Sequence, residues 1–519
     1  MQSEPMTPRR GIVSAGHDDT ADAAAQMLAA GGNSFDAAMA ALCTACVAEP
    51  VLASLGGGGF LLAKRAGTAP VLYDFFTQTP RCKRPADGVH FYPIQADFGD
   101  ATQEFHIGMG SIAVPGAIAG LFKVHRDLCC MSMKEIVAYG STLADGGVVV
   151  NPFQHGISMI VEAILRASPE AFALHASPAH QGVLASSGER VRNPDLSRAF
   201  RRLADEGPDL FYRGEWGRQL ADDCRRLGGH LSDTDLSNYQ VVKRKPLSHR
   251  YRGDVIHTNP PPSLGGMLVC FALQLLESSG PAAAPDSSRY LHTLGSAMRL
   301  TQALRSDERA ELVADPGLPD SALVAEYLAL MAEQLIFPRG TTQISVADRD
   351  GNLASLTLSN GEGAGYVLPD TGIVLNNMLG EEDINPHGFH RWPTDRRISS
   401  MMAPTLLERA GGDWVVTGSS GSNRIRSAVL QVLCNLVDHG LGLEEAVSAP
   451  RIHYEDGMLN MEPPIPDAVL EDLRAAWPDI RMWSGPSVFF GGAHSVASMV
   501  NGSLFGAGDP RRGGVVRVV

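Results

Sequence analysis

Thr341, directly behind Gly340, is the residue of this chain best placed to do chemistry. It heads the run Thr341-Thr342-Gln343-Ile344-Ser345-Val346-Ala347-Asp348. Arg349-Asp350-Gly351-Asn352 follows, and then Leu353-Ala354-Ser355-Leu356-Thr357-Leu358-Ser359-Asn360. Two halves rich in β-branched and Ser residues around an Asp/Gly/Asn turn predict a hairpin. In its first strand Thr342, Ile344 and Val346 share one face, and Thr341, Gln343 and Ser345 the other. One reading is an ordinary hairpin with a threonine at its edge. The other is a self-cleaving bond. Thr341 attacks the carbonyl of Gly340, and an N-to-O acyl shift followed by hydrolysis frees its amine. Glycine suits the preceding position because backbone strain costs least there. The product is a hydroxyl nucleophile carrying its own base, an α-amine whose ordinary pKa is about 7.7–8.0.

Elements must position that residue. Gly11 to Val13 reads as a short strand. Thr20 to Leu42 reads as a helix broken at Ala30-Gly31-Gly32-Asn33, with Ser34 as the cap of its second half. Gly56-Gly57-Gly58-Gly59 lacks the Lys-Ser/Thr of a phosphate loop, so close backbone packing at a strand start is the expectation. Ile425 to His439 reads as a helix turning Val429, Leu433 and Leu436 inward. Glu277 to Ser288 reads as a surface linker, and 289–335 as helical, leading to the segment before Gly340.

Length suggests more than one core. A net charge of −14 argues against nucleic acid and against an anionic membrane surface. Cys43 and Cys46 lie in an Ala-rich helical pattern without a second pair or a nearby His, so they read as small core residues. Neither a secretory signal nor an apolar run able to span a membrane is evident, so a cytoplasmic location is expected. The His, Asp and Glu residues form no cluster at metal-ligand spacing. No metal and no cofactor is expected.

Gly340-Thr341-Thr342, with the Val346-x-Asp348-x-Asp350-Gly351-Asn352 hairpin behind it, resembles the γ-glutamyltransferase (γ-glutamyltranspeptidase) family of N-terminal-nucleophile hydrolases. The resemblance continues through Gly56-Gly57-Gly58-Gly59-Phe60, Asn376-Asn377, Arg397-Ile398-Ser399-Ser400-Met401 and Gly418-Ser419-Ser420-Gly421-Ser422, to Gly508-Asp509-Pro510-Arg511-Arg512-Gly513-Gly514. It implies an α+β fold, a four-layer αββα sandwich, cut into a large subunit of residues 1–340 and a small subunit of 341–519 within one intertwined fold. Thr341 is then the nucleophile, and Ser359 stands where the family has a hydroxyl bonded to it. Gly421 and Ser422 supply backbone N–H groups for the oxyanion. Asn360, Glu381, with Asp383 next, and Ser399 and Ser400 bind substrate; for the two acids a solvated turn is the plain alternative.

Two departures stand out. Asp74-Phe75-Phe76 aligns with the family's Asp-Phe-Arg, whose Arg clamps the substrate α-carboxylate. Phe76 cannot make that bidentate contact, which leaves Arg81 or Arg397 as substitutes. Thirteen residues separate Asp383 from Arg397, and no Tyr occurs from Val367 to His453. The family's longer lid with its Tyr is therefore missing, and an open pocket favours hydrolysis or bulky acceptors.

The leading expectation is an autoprocessed amidohydrolase or acyltransferase cleaving γ-glutamyl amides such as glutathione through an acyl-enzyme. The alternative is a related amidase without the carboxylate clamp, like glutaryl-cephalosporin acylases or an oxamate amidohydrolase. A non-catalytic scaffold would keep the fold and stay uncut. The partners implied are a small amide or peptide and the two subunits as a heterodimer; whether two heterodimers associate is left open.

Overall fold

The computed structural model describes residues 9–97, 102–303, 341–380 and 389–519. Two antiparallel sheets organise it. In chain order their strands are β1 (Gly11–Ala15), β2 (Gly58–Lys64), β3 (Val71–Phe75), β4 (Val242–Arg244), β5 (Leu247–Tyr251) and β6 (Asp254–Thr258). β7 (Thr342–Asp348), β8 (Leu353–Ser359), β9 (Thr405–Glu408) and β10 (Trp414–Thr417) follow. The last are β11 (Ser495–Ser498), β12 (Leu504–Ala507) and β13 (Val515–Val518). The first sheet has the order β13-β1-β7-β8-β2-β3-β4, the second β12-β11-β10-β9-β6-β5.

Alternation along the strands sorts the first sheet's side chains. Leu61, Tyr73, Phe75, Ile344, Val346 and Leu356 bury against helices α1 (Asp18–Ala29), α2 (Ser34–Ala48), α3 (Ala117–Leu128) and α4 (Met133–Gly146). The opposite face meets the second sheet through hydroxyls. Ser355 Oγ donates to the Thr417 carbonyl at 2.8 Å, and Ser345 Oγ to that of His494 at 2.7 Å. Beyond the second sheet lie α5 (Gly265–Ser278), α6 (Ser288–Ala303) and α7 (Arg424–Val437). The four layers run helix, sheet, sheet, helix, as expected.

The hairpin forms as its sequence predicts. Asp348 closes its turn, Oδ1 accepting from the N–H groups of Asp350 and Asn352, each at 3.0 Å. The helix break also holds, but its cap is Asn33, not Ser34. Asn33 Oδ1 accepts from Phe35 N and Asp36 N, and Asp36 returns a bond to Asn33 N at 2.8 Å. Ser34 is claimed by the hairpin turn instead, its Oγ donating to the Asn352 carbonyl at 2.8 Å and its N–H to Asp348 Oδ2 at 2.9 Å. Cys43 and Cys46 are buried in α2, where burial pushes the Cys43 thiol up to about 12.

Burial holds His175, His453 and His494 neutral, lowering each to about 4. Between that value and the unfolded value near 6.5 the unfolded chain binds protons that the folded one does not. Stability therefore falls as pH drops, by about 1.4 kcal/mol per pH unit for each histidine. The urea midpoint is expected to be clearly lower at pH 5 than at pH 7.5; equal midpoints would refute this.

Candidate active site

The site is built on one row across the first sheet. Ser359 pairs with Gly58, and Thr342 with Leu358. Continuing the register by one residue sets Thr341 opposite Ser359; Gly59 pairs with Phe75, so Phe76 ends the row beside Gly58. Thr341, Ser359 and Phe76 are fully buried. Their side chains leave the face that meets the second sheet.

The glycine run makes this row possible. A Cβ on Gly57 would stand 2.2 Å from the Ser359 carbonyl, and one on Gly59 2.3 Å from that of Thr357. This is the close packing expected of the run. Gln343, two residues from Thr341, stiffens β7 from the inner face. Its Nε2 donates to Ser345 Oγ and Ser355 Oγ, at 3.1 and 3.0 Å, and its Oε1 accepts from Thr357 Oγ1 at 2.6 Å.

The oxyanion candidate enters from the second sheet. Ser419–Ser420 and Gly492–Ala493 form a short ribbon ahead of α7. At its end Gly421 has φ +110° and Ser422 φ +61°. The carbonyls of Gly421 and Ser422 turn into the helix, accepting from Arg424 N at 3.0 Å and Ile425 N at 3.1 Å. Across a trans peptide the N–H opposes the preceding carbonyl, so the Ser422 N–H points away from α7. Ser422 thus sits where glycine is the undemanding residue; the role needs only its backbone.

Several buried polar atoms in this region lack a hydrogen-bond partner among the described residues: Asn360 Oδ1, Asn377 Nδ2, Thr77 Oγ1, Ser399 Oγ and Ser422 Oγ. Each such atom costs about 1–3 kcal/mol. Local bonds tie four of them into two pairs, Asn360 with Asn377 and Thr77 with Ser399. Asn360 follows Ser359, Asn377 Oδ1 accepts from Glu362 N at 2.9 Å, and Ile398, ahead of Ser399, donates its N–H to the Thr77 carbonyl at 3.0 Å. Native chains leave few such atoms, and this grouping has the chemistry of a surface made for a polar ligand. Thr77 and Asn377 were not singled out by sequence. Ser400 is held in place by its neighbours, its Oγ accepting from Met402 N at 3.1 Å and its carbonyl from Ser263 Oγ at 2.8 Å. Gly340, Glu381 and Asp383 lie outside the described residues.

Neither substitute arginine is available as a clamp. Arg397 is spent on the chain itself, donating to the Phe76 carbonyl, to Tyr239 Oη at 2.5 Å and to the Gln240 carbonyl at 2.6 Å. Its Nε stands 3.4 Å from Asp74. Arg81 is 42% exposed and pairs with Asp395 at 3.1 Å. The Phe76 ring stacks on Phe60, centroids 5.3 Å apart. The row therefore ends in an apolar wall. The described end of the short loop packs elsewhere, Phe389 on His106 and Trp392 on His230.

A second buried chain braces the oxyanion turn, and no local sequence signal marked it. Asn423 Nδ2 donates to Glu455 Oε1 at 2.6 Å, Glu455 Oε2 lies 3.4 Å from His453 Nε2, and His453 Nδ1 is 2.7 Å from Ser427 Oγ. Burial alone would raise Glu455, but its bond to His453 and the nearby Arg424 and Arg426 hold it well below the usual carboxylate range. The C-terminal motif is also structural: Asp509 accepts from Arg451 at 2.6 Å and from Ala493 N, in the ribbon, at 2.8 Å.

Comparison with known proteins shows what the chain is similar to. The family model described as gamma-glutamyltranspeptidase matches residues 20–519. The acylase ACY 1 proenzyme of Pseudomonas sp. (strain V22) is 32% identical, over 98% of this chain and 93% of its own length. The glutathione hydrolase proenzyme of Escherichia coli (strain K12) is 28% identical, over 98% and 91%. A crystal structure of cephalosporin acylase from Bacillus halodurans superposes with a TM-score of 0.81 at 23% identity, covering 100% of this chain and 98% of that one, which is a likeness of fold.

Proposed function

This chain is an enzyme of the gamma-glutamyltranspeptidase family, and from that premise we propose that it matures by cleavage at Gly340-Thr341 and hydrolyses or transfers γ-glutamyl groups from amides such as glutathione. The observation that carries the reading is the strand register that sets Thr341 opposite Ser359, with unpartnered buried polar atoms on the neighbouring residues Asn360 and Thr77. Thr341 Oγ attacks the amide carbonyl, and its proton passes to the α-amine. The oxyanion takes the N–H groups of Gly421 and Ser422. Collapse expels the leaving amine, which receives the proton, and an ester on Thr341 remains. Water or an amine attacks that ester, the α-amine again taking the proton and returning it to Thr341 Oγ as the acyl group leaves. Asn360, Asn377, Ser399 and Thr77 offer hydrogen bonds to the far end of the acyl group, with Glu381 or Asp383 for its ammonium. Residues 1–340 and 341–519 stay together as a heterodimer, a reading that the relatives' proenzyme names support. All eight cysteines are free thiols, which supports a reducing, cytoplasmic setting.

One observation favours a second reading. Phe76 closes the row and both candidate arginines are engaged elsewhere, so the site suits an acylase with weaker demands on the acyl terminus. Initial rates on γ-glutamyl-, glutaryl- and butyryl-p-nitroanilide separate the two. The first reading expects the γ-glutamyl compound to be fastest; a tenfold preference for either of the others establishes the second. Phe76→Arg is expected to raise γ-glutamyl-p-nitroanilide turnover, because a guanidinium there meets the α-carboxylate bidentately. A folded variant without that gain would place specificity elsewhere.

A further inference from the structure

Glu49 caps the end of α2 and is 1% exposed. Both of its carboxyl oxygens are held by hydroxyls. Thr20 Oγ1 donates to Oε1 at 2.8 Å, and Thr342 Oγ1 to Oε2 at 2.7 Å. Thr342 is the neighbour of the nucleophile, and its side chain leaves the sheet on the opposite face. Gly16, just past β1, makes room: a Cβ there would stand 3.1 Å from Glu49 Oε2 and 3.2 Å from His494 Nε2. Acyl transfer as derived above gives Glu49 no part.

We infer that Glu49 is a positioning residue for the Thr341 nucleophile: its carboxylate pins Thr342 so that the Thr341 hydroxyl stays on the inner face, and its negative charge raises the proton affinity of the freed α-amine. The inference rests on the reading of Thr341 as a new N-terminus. Before cleavage the backbone holds Thr341 from both sides; afterwards it ends a strand, and chain ends fray unless tied. A charge-assisted bond on the adjacent residue is such a tie. Chain geometry and the 2.7 Å bond put the carboxylate within about 10 Å of the amine. In a buried setting a charge at that distance moves a pKa by about one unit.

The groups facing Glu49 modulate this without replacing it. Cys46 comes from α2 itself, while His494 and Arg512 come from the C-terminal region. Burial keeps Cys46 a thiol and His494 neutral. Arg512 stays cationic, though burial, with Arg424 nearby, lowers it to about 10, and Asp509 stands beside it.

The test uses the cut heterodimer, confirmed by intact mass. If the wild type proves uncut, the N-terminal-nucleophile reading itself fails, and this inference with it. In Glu49→Gln, which keeps shape and an acceptor oxygen, the acid limb of kcat/KM against pH is expected to move down by about one unit, with KM within twofold. Thr342→Val removes the tie and keeps the charge; there kcat is expected to fall at least tenfold while the acid limb stays in place. An unmoved limb in Glu49→Gln overturns the electrostatic half, and unchanged kcat in Thr342→Val overturns the positioning half. Should Glu49→Gln fail to fold, the acid limb is read in Glu49→Asp, where a longer distance to the amine is expected to give a smaller downward move; a limb unmoved there overturns the electrostatic half.

Discussion

Thr341→Ala is expected to remain one chain of 55.2 kDa and to lose activity by at least about 10⁴-fold, while the wild type separates into two fragments at Gly340-Thr341. Both effects have one cause. The same hydroxyl opens the precursor and later attacks substrate, so removing it stops maturation and catalysis together. The side chain is small and lies at the end of β7, outside the apolar clusters, so the fold and its urea midpoint are expected to survive. Thr341→Ser keeps hydroxyl and amine and is expected to cut itself. Intact mass and turnover of γ-glutamyl-p-nitroanilide decide the matter. A cut Thr341→Ala chain, or one with wild-type rates, would remove Thr341 from the mechanism.

Gly421→Ala is expected to lower kcat by about 10²–10³-fold with little change in KM. Gly421 has φ +110°, and a Cβ there would meet Gly491 Cα at 2.8 Å and Arg512 Nη2 at 3.2 Å. The Gly491 backbone cannot yield as a side chain would, so the turn must shift and carry its N–H donors with it. The strain, about 1–3 kcal/mol, falls at the end of a two-residue ribbon rather than in a core, so the protein is expected to fold. Precursor cleavage draws on the same donors, and maturation should slow as well; rates are therefore normalised to the cut fraction. A kcat within twofold of wild type would move the oxyanion site away from this turn.

What sequence made legible was local. Alternation in Thr341–Asp348 and Leu353–Asn360 defines the hairpin and its faces. Four consecutive glycines announce a backbone contact, and the spacing in Ile425–His439 shows a buried helix. What stayed hidden depends on partners far along the chain. Ser34 reads as a cap until Asn352, from the hairpin turn, takes its hydroxyl and leaves capping to Asn33. Glu49 sits 293 residues from Thr342, and Arg397 reaches the Phe76 carbonyl across 321 residues. No periodicity encodes such pairs. Family resemblance placed Asn360, Ser399, Gly421 and Ser422 in one region. It gave no sign of Thr77 or of the Asn423–Glu455–His453–Ser427 chain, because those depend on how this sequence folds its side chains together.

The strand order has a further consequence. Strands from before and after Gly340 alternate: β1 lies between β13 and β7, β8 lies against β2, and in the other sheet β6 lies against β9. Among the described residues, four antiparallel ladders therefore cross the proposed cut. Pulling such fragments apart means unzipping all four, so an enzyme matured by the proposed cleavage is expected to behave as one body, kinetically locked. Rebuilding it from separated fragments is a different problem, because two chains must find each other and interleave strand by strand, whereas the precursor did so as one. Heat-denatured mature protein is then expected to recover poorly and in a concentration-dependent way, while uncut Thr341→Ala refolds as a single chain. Assembly by this route happens once, and the scissile bond is the scaffold that cannot be put back.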